Sequence, residues 1–241
     1  MSSGICSECG AEAWEPYEPA TPRVPGLVVR PLRQGPTADV RRFDCPLSEA
    51  LGGIEIGRTI LVSGKPGVGK STEVAALASR LAPELRGFVY WLDREMEEAQ
   101  VFELFQRSGS STDRVRRVAP SFDGEAPGTW REALRVVGED AAVIVVDSLQ
   151  RWAVRDVEQT ELLETLKRGK VTALVVSHTN KAGQAAGRMG NQHDVDAEVM
   201  VKKRKFVSSK CRWTPTPRVT ARRPFVQAET PSKNEASSSK A

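Results

Sequence analysis

The sequence predicts an α/β fold, a mostly parallel central sheet flanked by helices. Three observations predict it. Short apolar runs recur at residues 59–63, 88–92, 141–146 and 171–176, the last two reading as strands buried in the sheet. Helical patterns separate these runs, which implies parallel βαβ units with helices on both faces. A glycine-rich loop follows the first run and opens the first long helix.

Taken in order, residues 1–39 are rich in Pro, Gly and Glu and carry no periodicity. They read as loop or disorder, with at most a small metal knuckle at the start. A strand is expected at 59–63, a helix at 70–81, a strand at 88–92 and a helix at 97–107. A weaker strand follows at 115–118 and a helix at 129–137. The run at 141–146 is a buried strand, 158–167 a helix, and 171–176 again a buried strand. The polar, low-complexity end beyond Thr230 reads as disordered. The expected organisation is a flexible segment over 1–40, a core over 41–217, and a basic then disordered tail over 218–241.

At 241 residues the chain is long enough for one such domain with a proper core. No apolar run is long enough to span a bilayer, and no signal-peptide pattern opens the chain, so a cytoplasmic protein is expected and a membrane partner is not. Of the four cysteines only Cys6 and Cys9 are close in sequence, which argues against a disulfide framework. The net charge of +4 conceals an asymmetry. Lys202, Lys203, Arg204, Lys205, Lys210, Arg212, Arg218, Arg222 and Arg223 fall in one stretch without an acidic residue. The rest of the chain is net acidic. Such a stretch attracts phosphate backbones by counterion release; its plainer reading is a solvated basic tail.

The segment Gly64-Lys65-Pro66-Gly67-Val68-Gly69-Lys70-Ser71 satisfies G-x-x-x-x-G-K-[ST] between a strand and a helix. Its glycines let consecutive amides turn inward on phosphates, and the helix N-terminus adds to the attraction. Lys70 is expected on the β- and γ-phosphates, Ser71 on magnesium, and the adjacent Thr72 beside the nucleotide. Asp147 ends the apolar run 141–146, where a carboxylate beside the phosphate loop completes the magnesium shell. ATP and Mg2+ are thus the expected ligands. Hydrolysis also needs a group that deprotonates water. Glu95, just past the strand 88–92, is the candidate and Asp93 its competitor; either could instead cap the next helix.

These residues resemble the RecA/DnaB class of ATPases, whose fold is a RecA-like P-loop NTPase core. Asp93-Arg-Glu-Met96 is similar to the strand-ending motif of DnaB-type helicases, in which the Glu activates water. Later segments resemble bacterial RadA (Sms) DNA-repair proteins. Those segments are Val176-Ser-His178-Thr-Asn-Lys181-Ala-Gly183, with His193-Asp-Val-Asp196, and Lys210-Cys-Arg212-Trp-Thr-Pro-Thr216. Leu47-Ser-Glu-Ala-Leu-Gly-Gly53 resembles the family's approach to its phosphate loop, and Cys6-Ser-Glu-Cys9 one half of its zinc finger.

The resemblance implies a DNA-dependent ATPase acting in recombination or repair, with single-stranded DNA and a homo-oligomer, a hexameric ring or filament, as partners. It implies that His178 senses the γ-phosphate and that Lys210 and Arg212 reach the nucleotide of a neighbouring subunit. The loop over 180–191 would grip DNA through Lys181 and Arg188, helped by Lys202, Lys203, Arg204 and Lys205. With Cys6 and Cys9 alone, zinc is not expected; zinc shared between two chains is the alternative. The family's C-terminal Lon-protease-like domain is expected to be lacking, which puts the assembly and the trans-acting residues in question. Two other functions are compatible with the same residues: a KaiC-like regulatory ATPase working through protein partners, and a non-hydrolysing nucleotide-binding scaffold.

Overall fold

The computed structural model describes residues 4–5, 12–13, 38–109, 111–120, 128–179, 194–203, 205–214 and 218–221. The chain divides into two units, Met1–Thr37 and Ala38–Ala241. In the first, strands β1 (Gly4–Ile5) and β2 (Glu12–Ala13) pair antiparallel. Loop or disorder was expected there; Cys6 and Cys9 lie outside the described residues.

The second unit runs β3 (Val40–Arg41), α1 (Pro46–Leu51), β4 (Ile54–Glu55), β5 (Thr59–Gly64), α2 (Lys70–Glu84), β6 (Phe88–Asp93), α3 (Glu98–Arg107) and β7 (Val115–Val118). It continues through α4 (Trp130–Arg135), β8 (Ala141–Asp147), α5 (Leu149–Trp152), α6 (Asp156–Arg168), β9 (Thr172–His178), β10 (Ala197–Lys202), β11 (Lys205–Cys211) and β12 (Val219–Ala221). The main sheet has eight strands in the order β12-β11-β10-β5-β9-β8-β6-β7. The six from β10 to β7 are parallel; β11 and β12 add an antiparallel edge.

Alternation along the strands feeds two cores. Ile60, Val62, Val89, Trp91, Val143, Val145, Leu174 and Val176 pack under α1, α2 and α3. Leu61, Tyr90, Leu92, Ile144, Val146, Ala173 and Val175 pack under α4, α5 and α6. Helix α2 presents Val74, Leu77, Ala78 and Leu81 at helical spacing, all fully buried. Trp91 meets Phe105 edge-to-face with centroids 5.2 Å apart, which ties β6 to α3.

The basic stretch, whose plainer reading from sequence is a solvated tail, is in part sheet. Lys202 ends β10, Lys205 opens β11, and β12 carries the sheet past residue 217 to Ala221. The alternating apolar residues Val199, Val201 and Phe206 are buried, while Lys202, Lys203 and Lys205 are exposed. The short α1 and α5 also went unread, being too brief for a periodic signal. No described helix is long and apolar enough to cross a membrane.

Candidate functional site

The carboxyl ends of parallel strands are where open α/β sheets bind ligands, and here they gather the predicted residues. In register, Gly64 lies beside His178 and Asp93 beside Asp147. The loop between β5 and α2 depends on Gly67 and Gly69, with φ of 73° and 86°. This left-handed region strains any residue with a Cβ. Gly69 is also the N-cap of α2 and has no side chain to cap it, so the first amides of the helix are left for an anion.

Lys70 folds back into this loop. Its ammonium donates to the carbonyls of Gly64 and Lys65, 3.0 Å each, and sits 3.4 Å from His178 Nδ1. Burial lowers the Lys70 pKa, and the charges of Asp147 and Glu95 oppose that fall. The sequence put Ser71 and Asp147 together, and the structure does too: Ser71 lies at the Asp147 carboxylate and is among the groups that lower its pKa. Asp147 is nine-tenths buried or more, and its Oδ2 has no hydrogen-bond partner. Burial pushes its pKa up to about 6, reinforced by Asp93 and Glu95 and opposed by Ser71 and Lys70. An orphaned buried carboxylate oxygen beside a hydroxyl is a hard-oxygen donor pair of the kind magnesium takes, so the residues fit that ion. The Asp147–Ser148 peptide is cis.

Glu95 leaves β6 toward the same spot. Its Oε1 accepts from Ser148 Oγ and Arg151 Nε at 3.0 Å each, and lies 3.8 Å from His178 Nε2. Burial alone would raise its pKa; the hydrogen bonds from Ser148 and Arg151 outweigh that and hold it below the usual range. His178, the last residue of β9, is lowered by burial and by the Lys70 charge, with Glu95 opposing. Asp93, the competitor, is turned away from this work. Its Oδ1 accepts from the amides of Glu95 (2.9 Å) and Met96 (3.1 Å), and its Oδ2 pairs with Arg117 at 3.2 Å. Ser148, Gln150, Arg151 and Arg117 were not singled out from sequence. They reach the site across 24 or more residues of chain, which no local pattern reports.

Lys210 and Arg212 are not brought to this end. Lys210 Nζ donates to Val195 O at 2.6 Å, and Arg212 Nη1 lies 3.4 Å from the buried Asp196 Oδ1. Asp196 in turn accepts the Thr59 amide at 3.1 Å. Thr59 and Gly64 bracket β5, so the pair sits roughly 16 Å from its own phosphate loop. Lys202, Lys203 and Lys205 are exposed on the β10–β11 turn, at the phosphate-loop end of the sheet, since Met200 is in register with Ser63. Lys181, Arg188 and Arg204 lie outside the described residues.

A phosphate loop, a strand-ending aspartate and a strand-exit glutamate on a parallel sheet define a RecA-like P-loop NTPase. Residues 60–199 match the family model described as ATPase family associated with various cellular activities (AAA), and the chain belongs to that family. Among curated proteins it is similar to the DNA repair protein RadA of Mycolicibacterium smegmatis, 29% identical over 74% of this chain and 40% of that one. It is also similar to RadA of Halalkalibacterium halodurans, 28% identical over 61% and 33%, and of Escherichia coli K12, 26% identical over 62% and 34%. The chain thus spans between a third and two-fifths of the length of these relatives. A solved structure of a KaiC-like protein from Pyrococcus horikoshii OT3 superposes with a TM-score of 0.59 at 20% identity, covering 76% of this chain and 94% of that one. That likeness speaks to the fold.

Proposed function

We propose that the protein is an ATP hydrolase stimulated by single-stranded DNA, working in recombination or repair and assembling as a homo-oligomer. The observation that carries the reading is the convergence of Lys70, Asp147, Glu95 and His178 at one end of the sheet, with exposed lysines on the neighbouring turn. The RadA relatives, named as DNA repair proteins, support the DNA half.

In this reading the loop amides and Lys70 bind the triphosphate, Lys70 leaving its carbonyl partners for the β- and γ-phosphates. Ser71 and Asp147 would hold magnesium, which when bound neutralises charge on those phosphates. Glu95 accepts a proton from the attacking water, and its strand-exit position sets the line of attack. His178 bridges Lys70 and Glu95 and so registers the loss of the γ-phosphate. Lys202, Lys203 and Lys205 attract the DNA backbone. Lys210 and Arg212, too far from their own nucleotide, would serve a neighbouring subunit's.

The test is ATP turnover with and without single-stranded DNA at low and moderate salt. Stimulation that fades with salt, as counterion release requires, is the expected result. Turnover indifferent to DNA would leave the ATPase standing and remove its DNA role.

A further inference from the structure

A cleft of about 400 Å³ opens where the last turns of α2 meet the turn that leads into β7. It is remote from the phosphate loop. Arg80, on its helical wall, stands ten residues along α2 from Lys70, roughly 15 Å away at the rise of a helix. The floor is apolar: Val89, fully buried, and its register partner Val115. The volume is that of a small-molecule site.

Two guanidiniums flank the cleft without a carboxylate. Arg80 Nη1 donates to Ala76 O in its own helix at 2.6 Å, and Arg114 Nη1 reaches Gly87 O at 3.5 Å. Neither enters an ion pair among the described residues. Nearby Arg107, Arg116 and Arg117 each hold an acid, Glu103, Asp140 and Asp93 in turn. A guanidinium has five donors in a planar fork, so Arg80 and Arg114 keep donors for an anion such as a phosphate. Ser111 adds a hydroxyl. Its Oγ accepts the Asp113 amide at 3.1 Å, a bond that does not use the hydroxyl's own hydrogen.

The same cleft carries acceptors. Asp113 lines it and forms no ion pair among the described residues. Pro83, inside the last turn of α2, has no amide hydrogen to give the Ser79 carbonyl four residues back. Ser79 and Pro83 both line the cleft, so that carbonyl keeps an acceptor there. None of the lining residues is aromatic, and the cleft has no platform on which a nucleobase could stack. Donors for an anion, acceptors for hydroxyls and a small apolar floor describe a phosphorylated polyol.

We propose that this cleft binds a sugar phosphate, with its phosphate on Arg80 and Arg114 and its hydroxyls on Asp113 and the Ser79 carbonyl. It is a second ligand site, separate from that of the nucleotide, and it does not depend on the proposed DNA role.

The experiment is calorimetry on the whole chain with ribose 5-phosphate, inorganic phosphate and ribose as probes, beside ATP turnover. Ribose 5-phosphate is expected to bind at a single site, inorganic phosphate more weakly, and ribose not measurably. Arg80→Gln and Arg114→Gln should each weaken ribose 5-phosphate about tenfold, the scale of a charge-assisted contact, and leave ATP turnover at the wild-type level. Asp113→Asn should narrow the preference for ribose 5-phosphate over inorganic phosphate, and Lys70→Ala should leave both affinities unchanged. A wild type that does not bind ribose 5-phosphate overturns the proposal. So does binding that survives both arginine substitutions, or that disappears in Lys70→Ala, which would put the probe in the phosphate loop. Equal affinity for inorganic phosphate and ribose 5-phosphate would overturn the assignment of a sugar.

Discussion

Strands β6 and β8 end side by side, each in an aspartate, and Asp93 and Asp147 are register partners. Both are buried. Their surroundings differ in kind. Asp93 is satisfied by two backbone amides and by Arg117, which also donates to the Met96 carbonyl, so its carboxylate shapes the turn that delivers Glu95. Asp147 has Ser71 beside it and an oxygen with no partner, and its pKa is driven up to about 6. A satisfied buried charge builds structure, whereas an unsatisfied one is kept for a ligand. Two identical residues at equivalent positions thus divide into a scaffold and a site.

That division can be broken by treating the two alike. In Asp93→Asn one side-chain atom becomes an NH2 group facing Arg117, where a charge partner stood. Stability in urea should fall by about 2 kcal/mol. A midpoint equal to wild type would mean that Asp93 does not hold the turn. Asp147 predicts the smaller effect and the opposite sign. Its folded pKa lies above the unfolded value of 3.8, so the folded, metal-free protein retains a proton that the unfolded chain releases. Stability from this group is therefore present below the unfolded value and lost as pH rises through about 6. Between pH 5 and 7.5 the metal-free wild type should lose on the order of 1 kcal/mol relative to Asp147→Asn. Parallel stability profiles for the two proteins would refute the raised pKa.

The same contrast shows what a sequence can disclose. Lys70, Ser71 and Asp147 were legible because a phosphate loop is a local pattern of spacing and glycine, and a strand buried on both faces is a local run of apolar residues. Glu95 and Asp93 were legible as candidates but could not be separated. What separates them is Arg117, Ser148 and Arg151, contacts made across the sheet. The β10–β11 turn was hidden for another reason: its basic composition, typical of a solvated tail, masked the alternation of Val199, Val201 and Phe206. Lys210 and Arg212 carried a motif but no indication of which end of β5 they would meet, and register decided that.

The central claim is that Glu95, held at the exit of β6, accepts the proton from the water that attacks ATP. Turnover and nucleotide binding by Glu95→Gln test it most directly, since the amide keeps the shape and removes the base. The account predicts that ATP binds with near wild-type affinity while kcat falls by at least ~100-fold. A kcat close to wild type would contradict it, as would a loss of turnover explained wholly by lost binding.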